Sequence, residues 1–156
     1  MTDKREHAFA HTTPYSEIAR IYKIPIQIDR FNERSGIEYN AIWDTGASGT
    51  SISKRLAEYL NLVPIGFVDT HTANGTAIRC PIHLVDIRFQ SGLYFANCPV
   101  VAVNLLTTDV LIGTDIISQG DFSITNCDGK TIVTFAVPSI KKHDYVAEAK
   151  VKSKRT

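Results

Sequence analysis

The chain has 156 residues, the length of one ordinary domain, and its 44% hydrophobic and 21% charged residues are typical of a globular protein that buries a core. Its formal net charge of +1 gives no field strong enough to make nucleic acid or an anionic membrane the main partner. No stretch approaches the ~20 apolar residues of a membrane-spanning helix, and the polar residues 1–20 contain no signal-peptide core. We therefore expect a soluble, cytoplasmic protein without a membrane span.

The first segment in chain order is predicted to be an arm. Residues 1–17 show no sustained apolar period, so we expect them to be mobile or to form a strand only when a partner orders them. The dominant period then becomes two, with alternating β-branched runs at 21–28, 39–43 and 78–89. Turn signals separate the runs, at Arg34-Ser35-Gly36, Asn74-Gly75, Ser91-Gly92 and Asp128-Gly129. Strands this short and frequent predict an all-β domain, either a sandwich or a barrel-like fold, rather than a layered α/β fold.

Two helices are predicted to interrupt the strands. Ser51 or Ser53 can cap the first helix, and Asn61 and Pro64 end it. The apolar residues of this run share one face: Leu56, Ala57 and Leu60. A second, shorter helix is expected over residues 114–118.

The C-terminal segment is predicted to be a basic tail. It carries six Lys or Arg from Lys141 onward, against Asp144 and Glu148, and it lacks a sustained apolar period. The expected organisation is thus an N-terminal arm over 1–17, one domain over 18–138 and a disordered tail over 139–156.

The three cysteines do not indicate a disulfide framework or a zinc site. Cys80, Cys98 and Cys127 are odd in number and form no Cys-x-x-Cys pair, so we expect reduced thiols. His71 and His83 have no second His or Cys at metal-ligand spacing and are interpreted as surface or strand residues. No metal or other cofactor is expected.

The segment Ala41-Ile42-Trp43-Asp44-Thr45-Gly46-Ala47-Ser48 carries the strongest chemical signal. A predicted strand delivers the Asp44 carboxylate into a turn of small residues that leave it accessible. Gly46 allows close approach to a ligand or a positive φ, and the Thr45 hydroxyl can fasten the turn to a neighbouring chain. Trp43 is expected to lie in the core. An isolated Asp-Thr-Gly tripeptide is more often an ordinary Asx turn, so the rest of the chain decides its meaning.

Three further features follow the tripeptide in order: the helix near 53–61, the hairpin around Asn74-Gly75, and Val110-Leu111-Ile112-Gly113 before a short helix. With the closing hairpin at 121–135, they resemble the retropepsin-like aspartic proteases, bacterial members included, over residues 21–135. The resemblance implies a single-lobe acid-protease fold, barrel-like and all-β, with one short helix after the active-site turn and one near the C-terminal end. It also implies an aspartic endopeptidase that hydrolyses peptide bonds.

That family needs two facing carboxylates, one protonated and the other activating a water molecule. This chain has one Asp-Thr-Gly segment: Asp69-Thr70 continues into His71, and Asp109 and Asp115 lack the motif. A two-lobed protease would need about twice this length. We therefore expect a homodimer that brings Asp44 and its symmetry mate to the two-fold axis and binds an extended peptide.

The resemblance assigns roles to other residues by position. Asp44 is expected to be catalytic, Thr45 and Gly46 to support the active site, and Gly113 to pack beneath it. The expected substrate contacts form two groups, Gly46, Ala47 and Ser48 on the loop and Asn74, Gly75 and Thr76 at the tip of a mobile flap.

The leading alternative is a dimeric peptide-binding module with the same fold and no cleavage, because a fold alone does not establish activity. The intact Asp-Thr-Gly segment speaks against it, since a binding module has no need for a costly pair of facing carboxylates. A weaker alternative places the function in the basic tail. Deleting residues 141–156 separates these readings, because cleavage should survive the deletion unless the tail builds the dimer.

Overall fold

The computed structural model describes residues 9–71, 75 and 77–153. Within these residues there are ten strands and three short helices. The strands are β1 (Phe9–Pro14), β2 (Lys23–Asp29), β3 (Glu38–Trp43), β4 (Ser51–Ser53), β5 (Gly66–His71), β6 (Ala77–Phe89), β7 (Tyr94–Val103), β8 (Val110–Ile112), β9 (Asp121–Cys127) and β10 (Lys130–Val137). The helices are α1 (Lys54–Tyr59), α2 (Thr114–Ile117) and α3 (Tyr145–Ser153).

Seven strands form one sheet, in the order β2-β3-β8-β4-β7-β6-β5. Strand β2 also pairs with β6, so six strands close into a barrel, and β5 extends from β6 as an edge strand. The alternation read from the sequence places every second side chain of β2 inside the barrel, at Ile24, Ile26 and Ile28. The expected single-lobe, all-β fold is confirmed.

The remaining strands form a terminal sheet in the order β1-β10-β9. Its inner face meets the barrel around Trp43, whose ring centroid lies 5.0 Å from that of Phe122 and 5.2 Å from that of Phe135. Phe89 stacks on the same indole at 5.6 Å. Trp43 is 4% exposed, so its predicted place in the core is confirmed. Aromatic burial of this kind therefore fixes the strand that leads to Asp44.

Both predicted helices are present. Ser53 is the N-cap of α1, where the Leu56 amide donates to Ser53 Oγ at 3.1 Å. Asn61 has a φ of 50°, in the left-handed region that ends helices. Helix α2 ends at Ile117, one residue earlier than the sequence predicts.

The chain ends contain ordered elements. Strand β1 lies in the region expected to be an arm, and it pairs along its length with β10 of the same chain. Beyond β10, Asp121 accepts hydrogen bonds from Ser139 Oγ and from the amides of Lys141 and Ile140, which lower the pKa of the Asp121 carboxyl. Helix α3 follows, with side chains exposed through Val151. None of the helices in the described ranges is long and apolar enough to cross a membrane.

Candidate active site

Asp44 directly follows β3, which lies between β2 and β8 in the barrel. Strand β3 runs parallel to β8, with Trp43 opposite Ile112, and the Asp44 amide donates to the Ile112 carbonyl at 2.9 Å. The chain then leaves the sheet. The half-buried carboxylate consequently stands at the end of a buried strand, with its backbone fixed by the neighbouring strand.

Residues 44–50 form the active-site loop, which curls back on Asp44. The Gly46 amide donates to Asp44 Oδ1 at 2.9 Å, and the Ala47 amide donates to the Asp44 carbonyl at 3.2 Å. A Cβ on Gly46 would lie 3.3 Å from Asp44 Oδ1, and the φ of this glycine is outside the left-handed region. Gly46 thus serves close approach to the carboxylate rather than a positive φ.

Gly113 lies directly beneath this loop, as the sequence predicts. A Cβ at Gly113 would stand 2.5 Å from the Gly49 carbonyl carbon and 2.9 Å from the Thr50 amide nitrogen. Contacts this short exclude any side chain, so β8 and α2 can approach the loop only through glycine. The Thr114 amide completes the contact by donating to the Ala47 carbonyl at 2.8 Å.

Asp115 is a supporting residue that sequence reasoning missed. Its carboxylate accepts from the Thr50 amide at 2.9 Å and from the Thr50 hydroxyl at 2.8 Å. The same hydroxyl oxygen accepts from the Gly113 amide at 3.1 Å. Charge-assisted bonds to both groups of Thr50 hold the far end of the active-site loop, while Gly46 and Ala47 hold its near end.

A cleft of about 640 Å³ opens beside the loop, beginning at Gly46. Strands β5, β6 and β7 and the start of α1 complete its lining. Its apolar side chains are Val68, Ile78, Cys80, Val101 and Val103. A mostly apolar cleft with a few polar groups is the usual form of a binding site.

The predicted loop residues lie at this cleft or beside it. Gly46, Ala47 and Ser48 line it, and their role as substrate contacts stays a prediction. The Thr45 side chain is exposed and forms no hydrogen bond with any residue that the structure describes. Its hydroxyl therefore remains available to a second chain.

The predicted flap is the hairpin of β5 and β6. Gly75 has a φ of 82°, a conformation that glycine adopts without strain at a hairpin tip. Asn74 and Thr76, the other predicted flap-tip residues, lie outside the described residues, as does the His71 side chain.

The other carboxylates considered from the sequence are engaged elsewhere. Asp109 accepts from Arg55 at 2.9 Å, and Asp115 is bound to Thr50. Asp69 belongs to the hairpin strand β5. Across the described ranges, no side-chain carboxylate is bonded to that of Asp44.

The histidines and cysteines form no metal centre in the part of the chain that the structure describes. His83 is a strand residue of β6 and is 3% exposed. The thiols of Cys80, Cys98 and Cys127 are free.

Comparison with solved structures gives a retropepsin-like aspartic protease from Rickettsia conorii, with a TM-score of 0.55 and 17% identity over 84% of this chain and 96% of that one. The retroviral protease-like domain of Ddi1 from Leishmania major gives a TM-score of 0.49 and 18% identity, over 81% of this chain and 99% of that one. No curated protein matches the sequence significantly. The family of gag-polyprotein putative aspartyl proteases matches residues 31–119, more than half of the chain. The chain therefore belongs to this family of retropepsin-like aspartic proteases.

Proposed function

We propose that two copies of this chain form a symmetric aspartic endopeptidase in which both Asp44 carboxylates act on one substrate. The observation that carries the proposal is the setting of Asp44: its carboxylate is oriented by the Gly46 amide, and no described carboxylate of its own chain is bonded to it. A two-fold arrangement supplies the missing group, because each residue on the axis meets its own copy.

In the proposed mechanism, the two Asp44 side chains share one proton, because like charges this close cannot both ionise. The ionised carboxylate removes a proton from a water molecule, which attacks the scissile carbonyl of an extended peptide. The protonated carboxylate gives its proton to the carbonyl oxygen and becomes ionised. The other carboxylate then passes the proton taken from water to the leaving amine as the C–N bond breaks, and a hydroxyl of the collapsing diol returns a proton to the first carboxylate. No covalent enzyme intermediate is formed.

The active-site loop and the hairpin bind the peptide from two sides. Gly46, Ala47 and Ser48 contact the bound peptide from the loop, and Thr45 joins the loop to its copy across the axis. The tip at Asn74, Gly75 and Thr76 closes over the peptide and excludes water.

A cleavage profile on a mixed peptide library tests this function, with Asp44→Asn as the control and pepstatin-type inhibition as a second readout. Activity should fall faster than linearly on dilution below the dimer dissociation constant, since the monomer holds half of the site. A monomer that sedimentation shows to be fully active would contradict the homodimer. A wild-type chain that binds peptides but leaves them intact would be the binding module instead.

A further inference from the structure

Lys54 is a positively charged residue at the cleft. It is the first residue of α1 and one of the residues that line the cleft. Its side chain is exposed and has no ion-pair or hydrogen-bond partner among residues 9–71, 75 and 77–153. Lys54 borders both this cleft and a neighbouring depression beside α1, and in the described ranges no side chain competes for its charge.

The other charged residue of the cleft lining, Asp69, directs its side chain elsewhere. Neighbouring side chains on a strand point to opposite faces, and Val68 and Thr70 face Cys80 inside the cleft. Asp69 is thus on the outer face of the hairpin, opposite Arg79 in the register.

The contact of Arg79 supports this assignment of faces. Its guanidinium lies 5.0 Å from the centroid of the Phe67 ring, and Phe67 is on the same face of β5 as Asp69. Among the described residues, the cleft lining therefore has one positive side chain without a partner, from Lys54, beside apolar walls.

From this distribution of charge, we infer that the cleft selects extended peptides in which an acidic side chain reaches Lys54 while an aliphatic side chain fills the apolar part. The inference rests on the proposed function, because it takes a peptide as the ligand. The two-fold axis repeats Lys54 in the partner subunit, so acidic residues are favoured on both sides of the scissile bond. One exposed ion pair gives an enrichment of about 1.4-fold to fivefold at each position.

Two parallel measurements test the inference. Wild type, Lys54→Glu and Lys130→Glu are each profiled for cleavage of a mixed peptide library, and the same three backgrounds carrying Asp44→Asn are used for affinity selection from that library. Lys130 is the matched control, an exposed lysine at the start of β10 and absent from the cleft lining. A glutamate is favourable in the first turn of a helix, so Lys54→Glu should leave α1 folded.

Peptides cleaved or selected by wild type and by Lys130→Glu should be enriched in acidic residues. Those cleaved or selected by Lys54→Glu should be enriched in Lys and Arg instead. Cleavage without an acidic preference, or with an unchanged preference in Lys54→Glu, overturns the inference and leaves the protease function intact. Acidic selection without any cleavage supports the inference and rejects the protease function. Failure to select any peptide overturns the inference as well.

Discussion

The active-site loop and the hairpin of β5 and β6 border the same cleft, yet they are held in opposite ways. The loop is bonded to β8 through Asp44, to α2 through Thr114 and to Asp115 through Thr50. In the described part of the chain, β5 is an edge strand paired only with β6, and Val68 and Ile78 are 37% and 42% exposed. Regions with few buried contacts open at a low free-energy cost. We therefore expect the loop to position the Asp44 carboxylate and the hairpin to open the cleft.

The largest expected effect comes from the loop itself. Asp44→Asn should lower kcat/KM for a cleavable peptide by on the order of 10⁴-fold, because the amide can neither remove a proton nor share one. Folding and dimerisation should be preserved, since loss of charge relieves the repulsion of the pair. Peptide cleavage and sedimentation measure both quantities. The control is Asp128→Asn, at an exposed turn position whose φ of 50° suits asparagine. A mutant that cleaves like wild type would show that Asp44 is not catalytic.

The support beneath the loop gives the next effect. Asp115→Ala should lower kcat by about tenfold to 100-fold with a smaller change in KM. The loop would no longer hold the Asp44 carboxylate in the correct position relative to water and substrate. The free energy of unfolding should fall by about 2 kcal/mol, which urea titration measures. Asp115→Asn keeps one acceptor oxygen and should recover part of kcat. An unchanged kcat in a destabilised Asp115→Ala protein would reduce this residue to a structural role.

A substitution at the hairpin tip should affect turnover more than stability. Gly75→Val strains the tip by roughly 1–2 kcal/mol at its positive φ and should impair turnover more than thermal stability. Gly129→Val is the matched control, since Gly129 has a φ of 73° in the turn between β9 and β10. Equal turnover in the two variants would mean that the β5 and β6 hairpin is only a scaffold.

The smallest effect is a difference in thiol reactivity between Cys80 of the hairpin and Cys98 of the barrel strand β7. Burial, followed by the charges of Asp115 and Asp86, raises the pKa of Cys98 to about 12. Only about one Cys98 thiol in 10⁴ is then ionised at pH 8, and a higher pH increases this fraction. Cys80 belongs to the hairpin strand β6, where its buried thiol lies 3.4 Å from Thr70 Oγ1, and we expect it to become accessible when β5 and β6 open.

The expected order of labelling at pH 8 is Cys127 first, because it is exposed, then Cys80, then Cys98. Mass spectrometry after timed addition of a thiol reagent measures the order, and Cys127→Ser removes the fast phase. Labelling of Cys80 no faster than Cys98 would contradict an opening hairpin.

Local signals in the sequence were sufficient for much of this fold. The cap at Ser53, the helix end at Asn61 and the alternation of β2 each depend on neighbouring residues, and each is present in the structure. The Asp44 loop was recognised because several features occur in a fixed order.

Contacts between distant segments could not be read in this way. The bond between Thr50 and Asp115 joins residues that five strands separate along the chain, and no spacing rule connects them. The pairing of β1 with β10 was missed for a related reason, since residues 9–14 carry little apolar pattern and their partner is at the other end of the domain.

The residues that hold Asp44 in place are synthesised later than Asp44 itself. The Asp-Thr-Gly segment is synthesised early, whereas Ile112, Gly113, Asp115 and Phe122 all follow β7. A growing chain that ends before β8 contains the complete motif but lacks the neighbouring strand, the glycine contact, the Thr50 bond and the aromatic ring under Trp43. On the ribosome these four supports are therefore missing until the C-terminal part of the domain has emerged.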